Sequence, residues 1–238
     1  MNATETQQAI DARDTVIIYS GGMDSYTLLR EELSKGRLHS SLSFNYGQRH
    51  LRELNCVARV CSQFSLPFSF IDLRAVAAVA MHRSVLTDTQ RDIPVGHYAA
   101  DNMKETVVPN RNMIMLSIAI AYAVSHQLKR VVFGAHAGDH TIYPDCRPEF
   151  VQTMRVLAQQ ANWHPIELEA PYLHFTKGEI LLQGMTFGVE REDYKDTWTC
   201  YKGDSTHACG VCGSCTERLE AFASVGWTDP IPYLPKGK

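Results

Sequence analysis

Thr15-Val16-Ile17-Ile18-Tyr19-Ser20-Gly21-Gly22-Met23-Asp24-Ser25 runs from a short β-branched segment into two adjacent glycines. A helical pattern with Leu28, Leu29 and Leu33 on one side follows. The order predicts strand, tight turn, helix. A helix N-terminus exposes unpaired N–H groups and partial positive charge, so it attracts anions. Adjacent glycines let the backbone approach an anion closely, and Ser20 and Ser25 add hydroxyls. Asp24 fits a phosphate cradle if it holds a cation or caps the helix. The Lys of the commoner phosphate loop is missing. The plain alternative is an ordinary strand-to-helix turn with a Ser/Asp cap.

Outward from this stretch, the same alternation repeats. Ser40–Phe44, Pro67–Leu73 and Arg130–Gly134 are expected as strands, and 51–64, 112–128, 148–161 and 176–184 as helices. Leu51, Leu54, Val57, Ala58, Cys61 and Phe64 form one face of the second helix. Thr176 with Glu179 three residues on is a capping-box pattern. Residues 74–106 show weak periodicity and read as a long, partly mobile active-site insertion. Strands and helices at this spacing predict an α/β fold with a doubly wound parallel sheet. Its ligand crevice should lie where the turns after the first, second and fourth strands meet. His136, Asp139 and His140 follow the fourth strand, as metal ligands or as a hydrogen-bonded turn.

The 238 residues are 45% hydrophobic, carry a net charge of −3 and have a pI near 6.4. This suits a globular chain with a full core and argues against a surface that coats nucleic acid. No apolar run approaches the ~20 residues that span a bilayer. Met1 to Arg13 is polar and mixed in charge, so it reads as a disordered lead-in, not a signal or transit peptide.

Of seven cysteines, Cys200, Cys209, Cys212 and Cys215 cluster late in the chain. An odd count and a tight cluster favour a reducing compartment and a metal site over a disulfide framework. Four thiolates complete a tetrahedral zinc shell with no open position, which predicts a structural site. Cys209 and Cys212 alone would also fit a redox pair, and His207 is a spare ligand. Cys56 and Cys61 fall on a helix and read as packed core thiols.

Together, Ser20–Ser25, Tyr46-Gly47-Gln48-Arg49-His50, Val108-Pro109-Asn110-Arg111-Asn112, Tyr143-Pro144-Asp145-Cys146-Arg147 and Thr199-Cys200-Tyr201 with the cysteine cluster resemble the 7-cyano-7-deazaguanine synthases. That family lies within the N-type ATP pyrophosphatases, with a Rossmann-like fold of the adenine nucleotide alpha hydrolase type. The resemblance implies an ATP-dependent ligase that turns 7-carboxy-7-deazaguanine and ammonia into the nitrile by way of the amide. It implies a domain over residues 14–190 and a zinc-binding segment over 191–238, after the lead-in 1–13. It implies ATP contacts from Tyr19, Ser20, Gly21, Gly22, Met23, Asp24, Ser25, Arg111, Asn112 and Gly134. Asp24, Arg49 and Lys177 become the candidate catalytic residues, Asp24 positioning magnesium and the two cations neutralising pyrophosphate. Tyr143, Asp145, Cys146 and Arg147 become the substrate element. One structural Zn2+ per chain, Mg2+ with ATP, a cytoplasmic homodimer, and no membrane or direct nucleic-acid partner are expected with it.

Two places depart from the family's usual pattern. Gly138-Asp139-His140-Thr141-Ile142-Tyr143 stands where Thr-Asp-Phe-Ser-Gly-Tyr is usual, and Met23 where Gln is usual. They keep two further products or roles in play: a variant that stops at the amide, and one serving DNA modification. The loop and the Cys209/Cys212 spacing also fit a tRNA-thiolating ATP pyrophosphatase.

Overall fold

A computed structural model of the chain describes residues 13–49 and 51–235. Apart from Arg13, the N-terminal lead-in lies outside the described residues, as does His50. Strands β1 (Thr15–Ile18), β2 (Leu38–Asn45), β3 (Phe68–Asp72), β4 (Arg130–Val132) and β5 (Glu167–Glu169) form a five-stranded sheet in the order β3-β2-β1-β4-β5. Every pairing is parallel. The chain builds outward from β1 to β3, then returns to place β4 on the other side of β1. The switch point between β1 and β4 therefore opens a crevice at the strands' C-terminal ends.

Helices α1 (Met23–Ser34), α2 (Arg52–Gln63), α3 (Arg74–Ala80), α4 (Arg111–Ser125), α5 (Pro148–Gln160), α6 (Lys177–Thr186) and α7 (Gly213–Ser224) cover both faces. Alternate residues of a strand face opposite sides. Val16 and Val131 thus join one core with Leu116, Ile120, Val151 and Met154 of α4 and α5. Ile17 and Val132 join the other with Leu28, Val57, Ile180 and Phe222 of α1, α2, α6 and α7. A strand buried on both faces reads as an unbroken apolar run, which is the pattern of Val16–Ile18.

The strands and helices expected from the sequence are present with ends shifted by a few residues. β5 and α7 were not expected. The three residues of β5 are too few for a period, and α7 starts inside the cysteine spacing, where ligand pattern hides helical pattern. The segment 74–106 is less irregular than its sequence. It contains α3 and a 3-10 turn at Asp101–Thr106, and it buries Met81, Leu86, Ile93, Tyr98 and Met103 in the core shared with α4. Those apolar residues pack without a helical or strand period, so no periodicity announces them.

The cysteine segment shares that same core through Cys200, Ala208, Cys212, Cys215 and Ile231. Arg218 on α7 is wholly buried and pairs with Asp229 at 2.6 Å (Nε to Oδ2) and 2.9 Å (Nη2 to Oδ1). It also donates to Thr197 Oγ1 at 2.8 Å, so α7, the C-terminal stretch and the chain before Cys200 are tied at one point. Among the described residues, no helix is long and apolar enough to cross a membrane.

Candidate active site

The turn after β1 organises itself. Ser20 Oγ accepts from Gly22 N at 3.2 Å, and Ser25 Oγ donates to Gly22 O at 3.1 Å and accepts from Ser20 N at 3.3 Å. Gly21 adopts φ +86°, and a Cβ there would lie 2.3 Å from the carbonyl oxygen of Glu53. Only glycine fits that conformation and that approach to α2. Gly134, after β4, packs on the same turn, with its missing Cβ 3.4 Å from Ser25 N. The two glycine turns thus meet at the switch point.

Around them opens a cleft with about 1130 Å³ of empty space, part of it open to solvent. Such a space suits a small-molecule ligand. Of the expected site residues, Tyr19, Ser20, Gly22, Asp24, Ser25, Arg111, Asn112, Gly134, Tyr143, Cys146 and Lys177 line it. Thr199, Tyr201, Ser214 and Glu217 line it too, brought in by the cysteine segment and α7, and Tyr98 comes from the 74–106 segment.

Lys177 is the first residue of α6, placed there by the Thr176 capping box: Glu179 N donates to Thr176 Oγ1, and Thr176 N to Glu179 Oε2 at 2.7 Å. A cation at a helix N-terminus opposes the helix dipole, so it needs compensating anions. Lys177 Nζ lies 3.0 Å from Asp24 Oδ2, 2.9 Å from Glu217 Oε2 and 2.7 Å from His136 Nε2. Burial opposes the Lys177 charge, but Asp24, Glu217 and Asp139 outweigh it and raise the ammonium's pKa above its ordinary value. Asp139 accepts from Tyr98 OH at 2.9 Å. Burial alone would raise its pKa, yet His136, Lys177 and the Tyr98 hydroxyl lower it. His136 accepts from Gly138 N through Nδ1 at 3.1 Å, as the cap of a short 3-10 turn. Both histidines of this loop belong to a hydrogen-bonded turn, and the metal reading for them is not supported by any grouped ligand set among the described residues.

Other expected residues sit outside the cleft lining. Arg49 donates to the backbone oxygens of Val85, Thr89 and Arg91, holding the 74–106 segment against β2. Asp145 accepts from Asn112 N at 2.9 Å and so satisfies one of the free N–H groups at the start of α4. Arg147 donates to His140 O at 2.9 Å. Gly21 and Met23 shape the turn from behind, Met23 being fully buried. The Tyr19 side chain is also fully buried, and its hydroxyl has no partner among the described residues. The departures from the family pattern point away as well. Ile142 has φ −103° and packs in the core beside Tyr143, so no glycine is needed there, and neither Thr141 nor Ile142 lines the cleft.

The sulfurs of Cys200, Cys209, Cys212 and Cys215 all lie within 4.8 Å of one another, and Cys209 Sγ is 3.9 Å from Cys215 Sγ. Zinc–sulfur bonds of about 2.3 Å in a tetrahedron place sulfurs roughly 3.8 Å apart, so the set fits zinc. Backbone N–H groups of Gly203 and Cys209 point at Cys200 Sγ at 3.0 and 3.2 Å, and that of Cys212 at Cys209 Sγ at 3.3 Å, as thiolates require. Contacts first with Cys200 drive the Cys209 thiol down and the Cys215 thiol up, because sulfurs this close cannot all ionise without a cation between them. His207 bonds Thr206 Oγ1 and stands outside the group. The convergence of all four sulfurs leaves no separate Cys209/Cys212 pair. Cys56 and Cys61 are packed thiols, and burial pushes Cys56 up to about 11.

A parallel α/β sheet with a glycine-hydroxyl turn at its switch point and a charged, enclosed cleft defines a nucleotide-binding α/β protein with a thiolate metal staple. The chain belongs to the family described as queuosine biosynthesis protein QueC, whose family model matches residues 14–226. A 7-cyano-7-deazaguanine synthase of Marinobacter nauticus is 53% identical over 218 residues, spanning 92% of this chain and 96% of the relative. One of Hahella chejuensis is 50% identical over 98% of this chain and 97% of its own length. One of Pseudoalteromonas translucida is 50% identical over 92% and 97%.

Proposed function

We propose that this chain is an ATP-dependent carbon–nitrogen ligase that converts 7-carboxy-7-deazaguanine and ammonia to 7-cyano-7-deazaguanine in queuosine biosynthesis. The observation that carries the reading is half-identity, over nearly the full length of both chains, to relatives bearing that name. The chemistry fits the cleft. A carboxylate is a poor electrophile. Attack of its oxygen on the α-phosphorus of ATP gives an acyl adenylate and releases pyrophosphate. Ammonia then displaces AMP and loses a proton, leaving the amide. The amide oxygen then attacks the α-phosphorus of a second ATP and releases a second pyrophosphate, and loss of AMP and of both nitrogen-bound protons leaves the nitrile.

In this reading the Ser20–Ser25 turn and the α1 N-terminus hold the phosphates, with Gly134 and Asn112 along the nucleotide. Lys177 faces the departing pyrophosphate. Asp24 Oδ1 is buried without a partner among the described residues, which suits a cation. Magnesium bound there with ATP would neutralise phosphate charge. Tyr143 and Cys146 stand on the substrate side, and one zinc held by Cys200, Cys209, Cys212 and Cys215 is structural. The resemblance extends the reading to a cytoplasmic homodimer.

Incubation with ATP, magnesium, ammonium and the acid, followed by mass spectrometry, should yield nitrile and AMP. No loss of the acid and no AMP would overturn the reading. Amide accumulating without nitrile would make this chain an amide-forming branch instead. The position of Thr141 and Ile142 outside the cleft favours the nitrile.

A further inference from the structure

Arg111 carries a charge that forms no ion pair among the described residues. It is the first residue of α4, and its guanidinium carbon lies 6.0 Å from the ring centre of Tyr46 and 5.6 Å from that of Tyr143. The Tyr143 hydroxyl is fixed by Thr106 Oγ1 at 2.8 Å, so that ring is held. Among the described residues no carboxylate forms an ion pair with Arg111. The nearby Asp145 acts on it through space and commits an oxygen to Asn112 N at 2.9 Å. Arg111 and both tyrosines line the cleft. A half-buried guanidinium with no ion-pair partner among the described residues is stabilised when a ligand supplies the anion. The flat aromatic flanks hold the planar fork, which matches a carboxylate bidentately. The phosphates have their own cradle in the Ser20–Ser25 turn. The one remaining anion in the proposed reaction is the carboxylate of the acid, which lies in the plane of a flat heteroaromatic ring and suits a slot walled by tyrosines.

We propose that Arg111 reads the carboxylate of the acid substrate and acts in the first activation but not in the second. This rests on the two-stage reaction proposed above. In the first stage Arg111 orients the carboxylate so that one oxygen attacks the α-phosphorus as pyrophosphate leaves. Once ammonia has displaced AMP, the amide is neutral and no ion pair with Arg111 is left to lose. The assignment moves Arg111 from the ATP contacts to the substrate side, where Arg147 is tied to His140 O.

The test supplies wild type, Arg111→Gln and Arg111→Lys with ATP, magnesium and ammonium, and with either 7-carboxy- or 7-amido-7-deazaguanine. Nitrile is followed by mass spectrometry. For Arg111→Gln, kcat/KM on the acid should fall by roughly 100-fold or more, while kcat/KM on the amide and the KM for ATP measured with the amide change less than about threefold. Arg111→Lys should be impaired on the acid as well, because an ammonium lacks the planar fork. Retained amide turnover shows that the variant is folded. In calorimetry without ATP, wild type should bind the acid at least about tenfold more tightly than the amide, and Arg111→Gln should lose that preference. Equal losses on acid and amide, a raised KM for ATP with the amide, or no wild-type preference for the acid would overturn the assignment. A wild-type protein that consumes neither compound would overturn the proposed function itself.

Discussion

The Ser20–Ser25 turn and the Lys177 cluster share one cleft but satisfy their polar groups in opposite ways. Every side-chain bond within the turn joins residues at most five apart. The cluster joins Asp24, His136, Lys177 and Glu217 from four separate parts of the chain. The turn is set by backbone conformation, and its hydroxyls stay in place whatever happens elsewhere. The cluster exists only while α1, α6 and α7 hold their positions, so its geometry depends on packing and on the cysteine staple at the start of α7. A local turn of this kind keeps its shape independently of the rest of the cleft, which suits the phosphate role proposed for it. An assembled cluster can hold charges that no contiguous segment could place together.

The largest effect should come from breaking the staple. Cys212→Ser, or removal of metal by a chelator, should cost the bound zinc, measured by elemental analysis, and lower the melting temperature by roughly 10 °C or more. Turnover should collapse with it, because α7 carries Glu217 to Lys177. A metal-free protein with unchanged melting and activity would show that the cluster does not depend on the staple.

Lys177→Met should rank next. It leaves Asp24 and Glu217 mostly buried and facing each other without their shared cation. We expect turnover to fall by about 100-fold or more and stability by on the order of 3 kcal/mol, read from steady-state rates and the urea midpoint. Activity within twofold of wild type would remove Lys177 from the working site.

Gly21→Ala probes the other side of the comparison. A left-handed φ and a Cβ 2.3 Å from a backbone oxygen should cost roughly 2–3 kcal/mol. The loss should appear in urea denaturation, while zinc content stays unchanged. A neutral substitution would mean that the turn is not fixed by its backbone.

The smallest effect concerns acid. The folded-state pKa of Asp139 is lowered from its ordinary value near 3.8. Ionised Asp139 therefore adds stability that is present above that value and is lost as pH falls through the lower folded value. Asp139→Asn should flatten this part of the acid limb in a pH series of denaturation midpoints. An unchanged acid limb would show that His136, Lys177 and Tyr98 do not hold the carboxylate ionised.

The legibility of the site follows the same division. Ser20, Gly22, Asp24 and Ser25 were readable because their spacing is their geometry, and Lys177 because a capping box announces the helix that starts there. The cysteines were readable because four thiols at short intervals have few uses other than a metal. Arg49, Asp145 and Arg147 lie in motifs that resemble the family's, yet their side chains hold loops and a helix end. A motif shows that a residue is near a site and not which way it points. Tyr98 and Glu217 carried no local signal. Glu217 was concealed inside α7, and Tyr98 lay in a segment whose apolar residues follow no period.

By itself the sequence determined the alternation of strands and helices, the glycine turn, the four-cysteine metal-ligand set and, through its resemblance, the family. These rest on short-range rules: period, backbone freedom at glycine, and ligand spacing. Only the tertiary structure decided that β4 returns beside β1, that α7 delivers Glu217 to Lys177, that Thr141 and Ile142 stay out of the cleft lining, and that Arg111 stands by two tyrosines with no ion pair among the described residues. Each depends on which surfaces bury one another across long stretches of chain, and no local pattern records that.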